Sequence, residues 1–362
     1  MSITILLGVF STILLLIHSK RANLKVVFFY VAFLVFLFLG LRYDFGTDFP
    51  AYASKFDFIA NSSWDVLLYS SHDFLDDMEK GWFFLQVIFS PFHFNVLLAF
   101  IAIVWLYVYK KHLFDHIKPE YKWYGFFIFF FNINTLLVPS SAMRQGVASI
   151  IFVYSLHYLY QRRWFPYLVA IFVASSFHRS AMMLYPFVLL CFLQDLSLNR
   201  KLKFFIFSLF ASFYVLKPFY QSLISEIIGL IFGARYGSYF NLFETSEQSV
   251  VNTIIYIAVL ALILRYYDNF NRMEKVLSLL AISGLFFFPI DAYVPLAGRM
   301  AMFFEPINIV LYPLLMSQFK HVNNRRIFII VIVAIIAIRF FRFYNSDSYL
   351  HAFDNYHIIF SK

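Results

Sequence analysis

Charge is scarce in this chain. Asp, Glu, Lys and Arg make up 14% of its 362 residues, where soluble domains carry about 25%. Cysteine is scarcer still: the single Cys191 excludes a disulfide framework and any Cys-based metal site. Alternating apolar and polar residues are also missing, because the apolar stretches run on for a dozen or more positions, and this excludes a β-barrel. No Walker A motif, Gly-rich dinucleotide loop or nucleophile elbow occurs, so direct ATP or nicotinamide chemistry is unsupported and no cofactor is expected. No repeat of 20–50 residues and no low-complexity linker divides the chain. Residues 1–362 therefore read as a single domain.

What the chain does contain is apolar: 62% hydrophobic residues, with 51 Phe and 25 Tyr, and a mean hydropathy of +0.73. Soluble domains have about 45–50% apolar residues. The expected fold class is all-α, a polytopic integral membrane protein embedded in the lipid bilayer. Apolar runs between charged punctuation give about twelve transmembrane helices, each needing roughly 20 residues. They lie near 2–18, 26–41, 86–109, 124–139, 144–161, 164–177, 181–194, 203–218, 250–266, 276–290, 300–317 and 327–342.

The net charge of +9 would suggest nucleic acid in a soluble protein, but here it sorts by membrane side. The first span is followed, not preceded, by Lys20, Arg21 and Lys25, the reverse of a signal peptide, which places the N-terminus outside. Alternating spans then put 18 basic residues against five acidic ones on the inner side and leave 11 against 15 outside. Every inner loop obeys the positive-inside rule. Both termini are expected outside, no nucleic-acid partner is implied, and two outer segments are long, 42–85 and 219–249. Within the first, Trp64–Tyr69 and Gly81–Phe89 are amphipathic enough to lie in the interface.

Ionisable residues at span ends are the first places to look for chemistry. Residues 164–193 must make two crossings with about 45 Å of helix where two crossings of the hydrocarbon need about 60 Å. The tip, Phe177-His178-Arg179-Ser180, then stops short of the outer surface. His178 and Arg179 either snorkel to the headgroups or sit in a polar cavity. At Ser140-Ser141-Ala142-Met143-Arg144-Gln145-Gly146, after Pro139, one helix breaks and a serine can cap the next. Arg144 in a first helical turn opposes the helix dipole and asks for an anion. Either it snorkels, or with Gln145 and backbone N–H groups it holds a phosphate. Arg299 opens another span with Glu305 about two turns below, as a structural ion pair or as a phosphate-binding arginine with a carboxylate behind it. At Arg42-Tyr43-Asp44-Phe45-Gly46-Thr47-Asp48-Phe49-Pro50-Ala51-Tyr52, Gly46 permits a tight turn and Asp48 can cap the segment after it.

His112 and His116 have the i,i+4 spacing of metal ligands but lack a third ligand on their basic inner loop, and no metal site is expected. The acid-rich stretch Asp73 to Glu79 reads as a solvated loop more readily than as a cation site. Clustered arginines facing a membrane cavity suit a diphosphate, which guanidinium matches in bidentate geometry. The many aromatic rings suit a polyisoprenoid tail and stacked sugars.

Taken in order, Arg42…Gly46-Thr47-Asp48-Phe49…Tyr52, Glu79-Lys80-Gly81-Trp82, Arg144-Gln145-Gly146, Ser176-Phe177-His178-Arg179-Ser180-Ala181 and Arg299 with Phe303–Phe304 resemble the EpsG-like family. These are Wzy-type oligosaccharide repeat-unit polymerases of bacterial O-antigen, capsule or exopolysaccharide. The likeness covers about residues 40–310. Arg144-Gln145 and Phe177-His178-Arg179-Ser180 carry most of it.

The resemblance implies a class-C-like glycosyltransferase of the bacterial inner membrane, acting at the periplasmic face. Its substrate would be undecaprenyl-diphosphate-linked oligosaccharide, and a chain-length-regulating co-polymerase would be a partner. On that reading Arg144, Arg299 and Arg179 bind the donor diphosphate. His178 deprotonates the acceptor hydroxyl or hydrogen-bonds the phosphates as a cation, with Asp48 or Glu79 as the alternative base. Gln145, Arg42, Tyr52 and Glu305 complete the substrate-binding set. A flippase of lipid-linked sugars would need cations near the midplane. An O-antigen ligase usually shows one large late periplasmic loop, and the longest late loop here is 219–249. A scaffold is the remaining reading.

Overall fold

In hydrocarbon a backbone must satisfy its own hydrogen bonds, and apolar runs therefore become helices. The computed structural model describes residues 2–62, 78–216, 219–220, 222–223, 250–291, 297–346, 349, 352–353 and 356–359. Helix occupies part of every one of the twelve expected stretches. The first two are α1 (Ser2–His18) and α2 (Leu24–Gly40). A short strand β1 (Arg42–Tyr43) and α3 (Phe49–Asn61) follow, then α4 (Lys80–Phe89) and α5 (Phe94–His112). The middle of the chain forms α6 (Lys122–Phe131), α7 (Leu137–Ser141), α8 (Met143–Tyr160) and α9 (Trp164–Phe177). A 3-10 stretch, Arg179–Leu189, leads into α10 (Leu190–Leu193) and α11 (Arg200–Val215). The last part is α12 (Val250–Tyr266), α13 (Arg272–Asp291), α14 (Ala297–Ala301), α15 (Asn308–Gln318), α16 (Val322–Tyr344) and β2 (His357–Ile358).

Among the described residues, five helical stretches are long and apolar enough to cross a membrane by length and composition: Phe94–His116, Val250–Asn269, Arg272–Asp291, Ala297–Gln318 and Val322–Tyr344. Shorter apolar helices accompany them. Large apolar side chains such as Leu6, Phe29, Phe172, Phe204 and Ile330 point outward. So much exposed apolar surface fits a lipid surround. This is an all-α membrane protein.

A strongly aromatic part of the core is α6, whose Phe126, Phe129, Phe130 and Phe131 are all buried and which packs against α1 and α15. Phe131 meets Phe340 of α16 edge-on with ring centroids 5.1 Å apart. Edge-to-face pairs add to the area term, which explains how so aromatic a core keeps specific geometry.

Several expected boundaries move. The stretch 86–109 is two elements, because the chain turns after Phe89 and α5 starts only at Phe94. The stretch 124–139 breaks at Asn132: Thr135 Oγ1 donates to the carbonyls of Phe129 (2.6 Å) and Asn132 (2.6 Å), satisfying helix-end acceptors. The stretch 300–317 is interrupted after Ala301 by a turn and a short 3-10 segment, Glu305–Ile307. Outer segment 42–85 is not all loop, since α3 lies in it, and Gly81–Phe89 is helical within α4. Trp64–Tyr69 and nearly all of 219–249 lie outside the described residues.

The chain's end returns to its beginning. β2 pairs antiparallel with β1, Arg42 opposite Ile358 and Tyr43 opposite His357. Tyr356 stacks on Phe38 at 4.7 Å and donates to the Phe38 carbonyl at 2.9 Å. The Gly46 amide donates to Ala352 O at 2.8 Å.

Candidate active site

The ends of α6, α9, α13 and α16, the short α7 and the starts of α3, α8, α12 and α14 surround one cavity of about 580 Å³. Of the residues singled out from sequence, Asp48, Tyr52, Arg144, Gln145, His178 and Arg299 line it. They come from four distant chain segments, and local turns aim each of them.

Gly46 holds φ at +108°, and a Cβ there would lie 2.9 Å from Ser141. That left-handed turn lets the start of α3 close against α7. Thr47 Oγ1 lies 3.0 Å from Ser141 Oγ, and the Asp48 amide donates to Ser141 Oγ at 3.3 Å. The serine expected to cap α8 therefore serves α3 instead. The N-cap of α8 is Ala142, with no side-chain bond, and Ser140 Oγ donates back to Leu137 O at 2.7 Å. Asp48 occupies the N-cap position of α3 without capping it through its side chain. Its Oδ1 instead accepts from Thr47 Oγ1 at 3.0 Å.

Arg144, in the first turn of α8, forms an ion pair with Glu79, and its Nε donates to Tyr52 Oη at 3.3 Å. Glu79 side-chain exposure is only 12%, so the partly buried Arg144 cation has a partly buried partner. Next to it Gln145 is buried, and its Nε2 donates to the Arg299 carbonyl at 2.6 Å. Two consecutive residues thus tie α8 to α3, α4 and α14. Glu79 reaches this point because Gly81 lets α4 touch the end of α9, where a Cβ would be 2.7 Å from the Ser176 carbonyl oxygen.

His178 follows α9, at the tip of the short hairpin. The helix before it rises about 21 Å and the 3-10 stretch after it about 22 Å, each less than a hydrocarbon core of about 30 Å. The His178 Nδ1 lies 2.6 Å from Ser180 Oγ, and the Ser180 amide donates to the same nitrogen at 3.3 Å. The two contacts belong to different tautomers: accepting from the Ser180 amide puts the ring proton on Nε2, whereas donation from Nδ1–H to Ser180 Oγ gives up that bond and leaves Nε2 a lone pair for a substrate proton. Burial, chiefly, lowers the His178 pKa below its ordinary 6.5. Glu79 opposes that shift, while Arg144 and Arg299 add to it. The ring is therefore neutral at pH 7, the state a general base requires.

Four other expectations come out differently. Arg42 is buried away from the cavity, donating to the carbonyls of Leu39 (2.5 Å) and Ser140 (2.9 Å). Its own carbonyl accepts from Asn95 Nδ2 at 3.1 Å. It fastens the end of α2 to α7 and does not line this cavity. Glu305 does not pair with Arg299. The helix break after Ala301 turns it aside, and its Oε2 accepts from Asn132 (2.6 Å) and Asn308 (3.0 Å). Arg179 is exposed outside the cavity lining, although its amide approaches Glu79 Oε1 at 3.5 Å. Glu79 itself lies behind Arg144 and does not line the main cavity.

Residues not singled out from sequence also line the cavity: Asn134, Asn252, Thr253, Tyr256 and Arg339, together with Asp291, which opens the short turn expected before Arg299. Arg339 of α16 donates to Tyr256 Oη of α12, and Tyr256 stacks on Phe288 at 4.3 Å. Arg339 was legible by its own rule, because an arginine inside an otherwise apolar span marks a functional position. Asn252 and Thr253 carry no such signal.

An all-α membrane protein with an arginine-lined cavity at one end of its helices is suited to hold an anionic, lipid-linked substrate. The chain belongs to the EpsG family, whose model matches residues 25–357, nearly its whole length. This is a family of Wzy-like polymerases, and membership points to polysaccharide repeat-unit polymerisation, a glycosyltransferase-like activity. No curated protein and no solved structure is significantly similar to the chain.

Proposed function

We propose that the protein is a bacterial oligosaccharide repeat-unit polymerase. It moves a growing glycan from undecaprenyl diphosphate onto the sugar of an incoming lipid-linked repeat unit. The reaction takes place at the periplasmic face of the inner membrane, in a chain of twelve spans with both termini outside. The observation that carries this reading is the convergence of Arg144, Arg299, His178 and Asp48 on one cavity. It joins two cations for a diphosphate to a neutral histidine for a hydroxyl.

In the proposed reaction the acceptor hydroxyl oxygen attacks C1 of the donor's diphosphate-linked sugar. The hydroxyl proton passes to His178 Nε2 as the new glycosidic bond forms. The bond between C1 and the phosphate oxygen breaks, and its electron pair leaves with undecaprenyl diphosphate. Arg144 and Arg299 stabilise the charge that develops on that leaving group, the role of preorganised donors in acyl-transfer sites. Asp48 is the alternative base, since its carboxylate also lines the cavity. Tyr52, Gln145 and Glu79 position Arg144 and Arg299, and Arg42 and Glu305 brace the helix ends around them. The energy resides in the glycosyl–diphosphate bond, so no nucleotide is consumed. A co-polymerase that sets chain length belongs to this reading as a partner.

The test is genetic. Arg144→Ala and His178→Ala should reach the membrane in normal amount yet leave surface glycan capped at one repeat. Long chains surviving in both variants would overturn the assignment.

A further inference from the structure

The opposite end of the helix bundle holds a second cavity that plays no part in this chemistry. α6 begins at this second cavity with Lys122, and Ile133 and Asn134, just past its other end, line the first. The second cavity has a volume of about 610 Å³, as large as the active-site cavity. Phe28, Phe29 and Ala32 of α2 and Leu106 of α5 wall it. Phe29 is 75% exposed and Tyr107 57% exposed, so the groove opens sideways to the surround.

Four cations from three chain segments meet at its rim: Arg21, Lys25, Lys110 and Lys122. A single carboxylate, Asp115, lies among them, 3.0 Å from Lys110 Nζ and 3.9 Å from Lys122 Nζ. Among the described residues neither Arg21 nor Lys25 has an ion-pair partner. Lys122 Nζ also lies 5.6 Å from the Phe28 ring centroid, where the rim meets the apolar wall. Burial lowers the Lys122 pKa; Asp115 resists this, and repulsion from Lys110 and Lys25 adds to it. The rim is thus an excess of mutually repelling positive charge above an apolar trough.

We infer that this groove binds an anionic phospholipid, its phosphate among Arg21, Lys25, Lys110 and Lys122 and an acyl chain along Phe28, Phe29, Ala32 and Leu106. Basic pockets between spans are the form in which acidic headgroups are recognised. A zwitterionic lipid would leave the rim's surplus charge uncompensated, and a soluble anion would have no use for the walls.

Lipid capture here is independent of the polymerase reading, and binding alone tests it. The full chain, purified in mild detergent, is mixed with phosphatidylglycerol or with phosphatidylcholine of the same acyl chains, and bound lipid is counted by native mass spectrometry. Phosphatidylglycerol should be retained preferentially. Each cation near a phosphate contributes about five-fold, so the double change Arg21→Gln, Lys25→Gln should weaken retention about 25-fold. The charge-preserving pair Arg21→Lys, Lys25→Arg should restore it, which separates binding from misfolding. The double change Arg200→Gln, Lys201→Gln, on the same side but away from the groove, should leave retention unchanged. Equal retention of both lipids, or equal loss in the Arg200 and Lys201 variant, would overturn the inference. So would full competition by inorganic phosphate, or a second copy of the chain bound in place of lipid.

Discussion

Arg144 sits between a fixed carboxylate and an open cavity, and that placement decides what Glu79 can do. A carboxylate held in an ion pair and screened from the cavity positions the guanidinium; a general base would have to reach the acceptor. Glu79→Gln keeps an oxygen that accepts from Arg144, so it should retain much of the activity, while Glu79→Ala should lose about ten-fold or more. Equal and near-complete loss in both variants would make Glu79 the base instead. For His178 the sign of the pH dependence is fixed by its lowered pKa. The neutral ring is the active form, so kcat/KM should rise with pH through a value below 6.5 and then level off. His178→Ala should cost about 10²–10⁴-fold. A rate that falls across the same range would mean that the imidazolium is the working form. Ser180 supports the ring through Nδ1, and Ser180→Ala should shift that inflection while leaving donor KM nearly unchanged.

At the level of the helices, the site depends on how closely α4 approaches α9. Gly81→Ala places a Cβ 2.7 Å from a backbone oxygen that no rotamer can move. It should destabilise the protein by about 1–3 kcal/mol and draw Glu79 off Arg144, read as a lower melting temperature and shorter glycan. Helices were well announced by apolar runs: α1, α9 and α12 fall at the ends the sequence indicates, because long apolar stretches in lipid have few alternatives to helix. Breaks were harder to read. Asn132 ends α6 because its amide has a partner, Glu305, 173 positions away, and no local pattern encodes a partner so distant. The pairing of β1 with β2 was unreadable for the same reason, since two-residue strands carry no periodicity. Arg42 and Glu305 stood out correctly as unusual charges, but their partners, two carbonyls and two amides, are properties of the packed fold. His178, Arg144 and Arg299 were legible as cavity residues because each is a polar group where hydrocarbon penalises one.

For the protein taken entire, the distribution of charge implies a sidedness that labelling can check. Asp57→Cys, on exposed α3, should react with a membrane-impermeant thiol reagent added outside, and Lys201→Cys should react only after the membrane is opened. The native Cys191 is buried and should stay silent in both. The reverse pattern would turn the cavity to the cytoplasm and remove the periplasmic site. With that orientation the chain presents its arginine-lined cavity outside and its basic groove inside, joined by helices that carry almost no charge between them. The proposed polymerase needs that outer cavity to join one lipid-linked repeat unit to another without any other energy source. The purified full chain, incubated with the host's lipid-linked repeat unit alone and no nucleotide, puts this to a direct test when the product is resolved by length. A ladder of increasing repeat number, absent with Arg144→Ala, is expected; substrate that stays a single repeat with the active chain would contradict the polymerase reading.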